Sequence, residues 1–325
     1  MALTKKRDVS VDILKFFAVF IIMNSHMDGL YTHYKFLATG GAIGDVLFLF
    51  LSGYTLFLGR RQNFSDYYKR RISRIYPSLI AFCCMMWLLC QMKIKDSVNF
   101  FAYSFVNAIM VYYVILYFIR DHLESVKWLF LLDATITLMV YIFWFPYKFE
   151  VSSRGMYGIT TSFRWIPYFG FMLLGSYIGA KHENMRFNIR KDLIKLIFCL
   201  VLFYGIQLAA KLYRPMAPLQ IITLIPLAGI VYYAYKACNA KCLISLYQKK
   251  YFHGIIMTVS GLCLEAYIVQ FGLLTDKLNF LFPLNIPIIM CVILFVAFII
   301  KCLGKLLLQT FRTENYQWKE IIRPY

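Results

Sequence analysis

The chain has 325 residues, of which 61% are hydrophobic and only 16% are charged, and its formal net charge is +19. A soluble domain of this length has too small an interior for so many apolar side chains, so the composition excludes a soluble enzyme and predicts a membrane protein. The basic residues lie in short segments between apolar runs, which suits anionic lipid headgroups, and no basic soluble domain exists that would bind nucleic acid.

Apolar runs long enough to cross about 30 Å of hydrocarbon recur along the whole chain. They predict an all-α, polytopic membrane protein of about ten transmembrane helices in one bundle, forming a single domain over residues 1–325. The predicted spans are roughly 11–29, 43–59, 77–92, 101–119, 127–145, 163–180, 192–211, 217–235, 252–274 and 286–308. We expect an uncleaved first helix, because no small-residue cleavage site follows the first apolar run. We also expect no appended soluble domain, because the last predicted span is followed by seventeen residues.

The basic residues between the predicted spans are far more numerous on one side of the membrane than on the other. The richer side holds both chain ends and the segment 60–74, whereas the poorer side holds isolated residues such as Lys35 and Lys148. Cytoplasmic loops carry the excess of Lys and Arg, so both termini are expected in the cytoplasm.

The first predicted span contains two ionisable residues, Lys15 and His26, on one face of a helix. Eleven residues rotate a helix by about 1100°, so the two side chains nearly eclipse each other, about 16 Å apart along the axis. Asp12 lies on the same face. An ionisable side chain inside a membrane span is costly, which indicates a functional role and a face that borders protein or a wet cavity.

Other predicted spans carry polar groups at the same outer level as His26. Asp45 and Arg164 lie at the outer starts of spans two and six. Span nine runs outward and adds three more side chains, Glu265, Tyr267 and Gln270. If these helices are neighbours, a carboxylate beside the His26 imidazole would form a general base, since it fixes the tautomer and supports the cation.

Simpler explanations exist for most of these residues. His26 suits the membrane interface, Asp45 suits a helix cap, and Arg164 suits an anchor that reaches toward the headgroups. Glu265 lies well inside an apolar run, which favours a function in its case.

The segment 60–77 concentrates basic residues in one cytoplasmic connection, with Arg70, Arg71 and Arg74 on one helical arc. Such a cluster contacts lipid phosphates in many membrane proteins. Guanidinium groups also match phosphate oxygens in pairs, so the segment is equally suited to a diphosphate-bearing cosubstrate from the cytosol.

The nine cysteines lie mostly in apolar runs. Cys238 and Cys242 are four residues apart, but neither a second pair nor a nearby His completes a zinc site. We expect these cysteines to pack as small hydrophobic side chains and to bind no metal.

Five segments, taken in this order, resemble the membrane-bound acyltransferase-3 family. The first segment has an acidic residue, then Leu and a basic residue, and a His eleven positions after the basic residue. The second contains Ser-Gly-Tyr, and the third contains Arg-Arg-x-x-Arg-x-x-Pro. The fourth contains Leu-Gly, and the fifth is a late span that contains Tyr. The segments are DILKFFAVFIIMNSH, GDVLFLFLSGYTLF, KRRISRIYP, FRWIPYFGFMLLGSYIG and LCLEAYIVQF. Their order and spacing, rather than any single motif, carry the resemblance.

The resemblance implies an integral membrane O-acyltransferase with about ten spans. Members of the family move acyl groups, most often acetyl, onto sugar hydroxyls of surface glycans. We therefore expect acyl-CoA, in the simplest case acetyl-CoA, as cosubstrate, and a glycan or lipid-linked sugar as acceptor, at the bacterial inner membrane. The resemblance makes His26 the catalytic histidine and places Arg70, Arg71 and Arg74 in the family's basic segment, where the cosubstrate phosphates would bind.

Two residues depart from the family pattern. Lys15 stands where members usually have Arg, so the charge is kept and the bidentate fork is lost. Gln270 stands where many members have His, and an amide cannot act as a general base. The Gln at position 270 therefore gives His26 more weight as the expected general base.

We therefore expect His26, Lys15, Asp45 and Glu265 to be catalytic, and Arg164, Tyr267 and Gln270 to bind substrate. His26 takes the hydroxyl proton or briefly carries the acyl group, and Lys15 or Arg164 steadies the donor or the oxyanion. The main alternative is a proton-coupled secondary transporter or lipid-linked sugar flippase, since intramembrane acids and His also serve proton relays.

Overall fold

A computed structural model describes residues 8–59, 62–91, 104–119, 126–144, 163–181, 185–311 and 315–324. Within these ranges the regular elements are all helical. The first six α-helices are α1 (Val9–Ser25), α2 (Gly41–Leu58), α3 (Phe64–Cys90), α4 (Ser104–Ile119), α5 (Val126–Met139) and α6 (Trp165–Lys181). The others are α7 (Ile189–Leu212), α8 (Leu224–Cys238), α9 (Lys241–Gln248), α10 (Lys250–Gly261), α11 (Cys263–Leu273), α12 (Asn285–Thr310) and α13 (Trp318–Ile322).

The all-α, polytopic membrane architecture predicted from the sequence is confirmed. Among the described residues, six segments are long and apolar enough to cross a membrane, or seven if α10 and α11 form one broken span. Helical structure lies at each of the ten predicted spans, but α1, α4 and α6 have only 17, 16 and 17 residues. The count of ten crossings in one bundle stays a prediction.

Helix α3 begins much earlier than the predicted span at 77–92. Asn63 caps the helix, because its side chain accepts a hydrogen bond of 2.8 Å from the backbone N–H of Asp66. The basic segment from Phe64 onward is therefore helical and continuous with the apolar part, and Pro77 lies in the helix interior. Arg60 and Arg61 lie outside the described residues.

Two predicted spans are less regular than expected. Residues Arg214–Thr223 form a 3-10 helix before α8, where Pro215 and Pro218 withhold backbone donors. In predicted span nine, α10 ends at Gly261 and α11 begins at Cys263, so this span is broken at Leu262. Neither interruption was predicted, since the apolar pattern continues through both.

The chain divides into two compact units. The first comprises Met1–Ala18, Ala42–Leu58 and Ser125–Ser260, and the second comprises Val19–Gly41, Gly59–Glu124 and Gly261–Tyr325. The prediction of one membrane domain stays a prediction.

In the first unit, glycines let α2 and α6 approach at backbone distance. A Cβ on Gly53 would lie 2.0 Å from the Met172 carbonyl oxygen, and one on Gly175 would lie 1.9 Å from the Phe50 carbonyl oxygen. The Ser176 hydroxyl also donates to the Gly53 carbonyl at 3.3 Å. The Ser-Gly-Tyr and Leu-Gly motifs therefore form a close helix crossing, as small residues do in membrane proteins.

In the second unit, α3, α11 and α12 pack against one another. Gly304 of α12 faces the backbone of Pro77 and Ser78, where a Cβ would lie 2.9 Å from the Ser78 nitrogen. The same region of α3 contacts α11, so three helices converge near the middle of α3.

Candidate active site

His26 follows the last residue of α1, and its backbone N–H still donates to the Met23 carbonyl at 3.2 Å. Its half-buried side chain packs edge-on against Phe271 of α11, with ring centroids 4.6 Å apart at 63°. An edge-to-face contact of this kind orients a ring as well as burying it. Both residues belong to the second unit.

An aromatic series continues from Phe271 along α11. Phe271 contacts Tyr267 at 6.3 Å, and Tyr267 contacts Phe105 of α4 at 5.2 Å between ring centroids. The structure therefore brings His26 and Tyr267, which were both predicted as site residues, to the same aromatic cluster of His26, Phe271, Tyr267 and Phe105.

Gln270 is wholly buried on α11, next to Phe271. Neither its amide oxygen nor its amide nitrogen has a hydrogen-bond partner among the described residues. A buried amide without partners is costly, so such a group points to a ligand or to water at this position.

Glu265 is also buried on α11, but its partners differ from those predicted. Its Oε1 accepts a hydrogen bond of 2.8 Å from the Ser78 hydroxyl of α3. Six residues separate it from Phe271, which is about 9 Å along the helix axis. Its carboxylate therefore lies with α3 and α12 and well away from the ring that contacts His26.

Lys301 of α12 completes this second cluster, and sequence reasoning missed it. Its ammonium group donates to the Gly261 carbonyl at 2.6 Å and is attracted by the Glu265 carboxylate. Gly261 ends α10, so the lysine satisfies a carbonyl that the break at Leu262 frees. Its position inside the predicted span 286–308, one turn before Lys305, was the signal that could have identified it.

The three arginines of the basic segment have different environments. Arg71 is half-buried, with its guanidinium 5.1 Å from the ring centroid of Tyr67 and 5.6 Å from that of Tyr113. Arg70 and Arg74 are exposed. Two of the three predicted phosphate ligands are therefore available to a ligand, while Arg71 joins α3 to α4 through cation–π contacts.

In the first unit, two of the predicted site residues, Asp45 and Arg164, form an ion pair that the sequence did not predict. Arg164 Nη1 lies 3.9 Å from Asp45 Oδ2, with side chains 28% and 16% exposed. Asp45 lies four residues after the start of α2, so it does not cap this helix. The guanidinium of Arg164 also lies 5.6 Å from the Trp165 ring centroid. Lys15 is half-buried on α1.

Two carboxylates near the start of α1, those of Asp8 and Asp12, accept hydrogen bonds from tyrosine hydroxyls, which the sequence did not predict. Asp12 is buried and accepts a hydrogen bond of 3.2 Å from the Tyr247 hydroxyl. Asp8 accepts hydrogen bonds from the hydroxyls of Tyr54 and Tyr235, which lie 3.0 Å apart. These contacts fix the start of α1 within the first unit.

The predicted site residues divide between the two units. His26, Glu265, Tyr267, Gln270 and the three arginines belong to the second unit, whereas Lys15, Asp45 and Arg164 belong to the first. The expected grouping of Asp45 and Arg164 with His26 stays a prediction, as do the roles of all ten residues.

Comparison with known proteins identifies the family. The model of a family described as an acyltransferase domain matches residues 8–302, a range that contains every site residue discussed above. No curated protein and no solved structure matches the chain. The match covers well over half of the sequence, and its range includes the helices that carry the motifs. The chain is a multi-pass membrane protein and belongs to the acyltransferase-3 family.

Proposed function

We propose that this protein moves an acyl group, in the simplest case acetyl, from acyl-CoA to a hydroxyl of a cell-surface or lipid-linked glycan. It does so in the bacterial inner membrane, with both termini in the cytoplasm. The observation that supports this most is the contact between His26 and Phe271. It holds a half-buried imidazole against α11, beside the Gln270 amide, which has no hydrogen-bond partner among the described residues. The family match supports the reaction class.

His26 acts as the general base in this proposal. The acceptor oxygen attacks the thioester carbonyl carbon while the imidazole takes the hydroxyl proton. A C–O bond forms, the C–S bond breaks, and the proton passes from His26 to the CoA thiolate. Lys15 stabilises the negative charge that develops on the carbonyl oxygen.

The acceptor binds along α11. The buried Gln270 amide exchanges hydrogen bonds with sugar hydroxyls, and the Tyr267 ring supports one face of the sugar. In the first unit, Asp45 holds the Arg164 guanidinium at 3.9 Å, and a role of Arg164 in binding substrate stays a prediction. Gln270 cannot take over the proton transfer, which leaves His26 as the base.

The cosubstrate phosphates bind the exposed arginines Arg70 and Arg74, since a guanidinium fork suits phosphate oxygens. Arg71 contributes by anchoring α3 on Tyr113 of α4. Glu265 and Lys301 stabilise the broken span nine, through which α11 presents Tyr267 and Gln270.

The test is transfer of label from radiolabelled acetyl-CoA to a glycan acceptor by the purified protein. His26→Ala should abolish transfer while the protein remains monodisperse in detergent, and retained turnover would refute the role of His26. Label that stays on the wild-type protein when acceptor is omitted would replace the direct route by an acyl-histidine route.

A secondary transporter or lipid-linked sugar flippase is the second candidate, because broken helices are common in transporters. The break between α10 and α11, with Lys301 and Glu265 beside it, is the observation that favours it. Reconstituted vesicles that accumulate a sugar substrate without acyl transfer would support the carrier.

A further inference from the structure

The segment that follows His26 is tied back to α1 by Asn24. The Asn24 side-chain nitrogen donates to the carbonyls of Leu37 at 2.8 Å and Thr39 at 3.0 Å. Its amide oxygen accepts a hydrogen bond of 2.5 Å from the Tyr31 hydroxyl. One asparagine, two positions before His26, therefore fixes three points of the segment 28–40.

Two further asparagines bind the same segment from the far end of the chain. The Asn279 side chain donates to the Gly29 carbonyl at 2.9 Å, and the Asn285 side chain donates to the Leu30 carbonyl at 2.9 Å. The Asn285 nitrogen also lies 3.0 Å from Asn279 Oδ1, so the two amides hold each other. Asn279 and Asn285 are called the asparagine clamp below.

The clamp acts on a buried part of the segment. Leu30 is 2% exposed and Asn285 is 0% exposed, so the Leu30 carbonyl would lose its partner without the Asn285 amide. A buried carbonyl that loses its partner is costly. The buried hydrogen bond from Asn285 to the Leu30 carbonyl is therefore a stronger constraint than the exposed bond from Asn279 to the Gly29 carbonyl.

The segment also contains an unfavourable backbone conformation. Thr32 has φ 49° and ψ −103°, which is rare for a β-branched residue. Such residues persist only where the surrounding structure determines them, and they often lie near functional sites. The clamp holds Gly29 and Leu30, which lie three and two positions before Thr32.

We propose that Asn279 and Asn285 are positioning residues that hold the His26 imidazole against Phe271. His26 has the end of α1 on one side and the clamped Gly29 and Leu30 on the other. Since the helix ends at Ser25, the direction of the His26 side chain depends on the residues that follow it. This inference rests on the proposed role of His26 in acyl transfer.

The experiment compares Asn285→Leu and Asn279→Ala with the wild-type protein. The first change removes a buried amide donor at similar volume, and the second removes a donor at a partly exposed position, where misfolding is less of a concern. Asn239→Leu is the matched control, because among the described residues its amide donates to the Tyr235 carbonyl alone, at 2.9 Å and one turn before it. Both residues lie in the first unit, whereas the clamp lies in the second.

Three quantities are measured: amide exchange over 27–38, modification of His26 by diethyl pyrocarbonate relative to His253, and the kcat and KM of acyl transfer. Both clamp variants should exchange about tenfold faster over 27–38, since one lost hydrogen bond is worth about a factor of ten. Their His26 modification should rise and their kcat should fall with little change in KM for acyl-CoA. Asn239→Leu should match wild type in all three.

Unchanged exchange, or faster exchange with unchanged kcat and unchanged His26 modification, overturns the proposal. A KM effect alone also overturns it, because it would indicate substrate contact and no positioning of the imidazole. If wild type transfers no acyl group, or if His26→Ala keeps turnover, the proposed function fails. Exchange and His26 modification then decide whether the clamp positions the imidazole.

Discussion

The His26 imidazole and the Phe271 ring meet edge-on with centroids 4.6 Å apart, although 245 positions separate them in the chain. A histidine at the end of a helix has few local constraints on its side chain. Packing against α11 supplies the constraint, and α11 also carries Tyr267 and Gln270. The contact therefore connects the proposed base to the residues proposed to bind the acceptor.

Phe271→Ala should lower kcat by about fivefold, because an aromatic pair of this geometry contributes about 1 kcal/mol to holding the ring. The KM for acyl-CoA should stay near the wild-type value. Phe271→Tyr keeps the ring and should keep most of the activity. Steady-state kinetics with both variants provide the measurement, and equal activity of the Ala variant would show that the contact does not orient His26.

The exposed and buried arginines of α3 should behave differently. Arg70→Gln and Arg74→Gln should each raise the KM for acyl-CoA by about fivefold, since an exposed charge pair is worth about 1 kcal/mol or less. The effect should shrink as salt is added. Arg71→Gln should instead lower thermal stability, because it removes the contacts to Tyr67 and Tyr113.

Lys241→Gln is the control for these arginine variants, because it removes an exposed cation from α9. It should leave both KM and stability unchanged. A KM increase of the same size for Lys241→Gln would mean that general positive charge attracts the cosubstrate, and the assignment of Arg70 and Arg74 would then be wrong.

Replacing a glycine by alanine should lower stability at the crossing of α2 and α6 and raise it at an open position of α7. Gly53→Ala and Gly175→Ala should destabilise the protein by about 1–3 kcal/mol or more, because each new Cβ would overlap a backbone carbonyl of the other helix. Gly205→Ala, in the interior of α7, meets nothing within 4 Å and should stabilise by about 0.5–1 kcal/mol. Thermal unfolding in detergent distinguishes these outcomes, and a neutral Gly53→Ala would show that the helices do not approach this closely.

The sequence predicted helices from apolar runs and predicted His26 from an ordered set of motifs, since both signals are local in the chain. It did not predict that Ser78 binds Glu265, or that Asn285 binds the Leu30 carbonyl, because these contacts join residues 187 and 255 positions apart. Hydropathy also hid the break at Leu262, where the residues remain apolar on both sides. Lys301 could have been identified from its position, because it and Lys305 are the two cations within the long apolar run 286–308.

Glu265 and Lys301 should show coupled effects on stability. Lys301→Met removes the hydrogen bond to the Gly261 carbonyl and the positive charge near Glu265, so it should destabilise the protein by about 1–3 kcal/mol. Glu265→Gln removes the negative charge and keeps an oxygen that can accept from Ser78. The double variant should lose at least about 1 kcal/mol less than the sum of the two single changes, because neither buried charge is then left alone. Thermal unfolding of all four proteins measures this coupling, with Lys191→Met on the exposed face of α7 as the control. Strictly additive effects would show that the two charges do not stabilise each other, and that Lys301 acts on the Gly261 carbonyl alone.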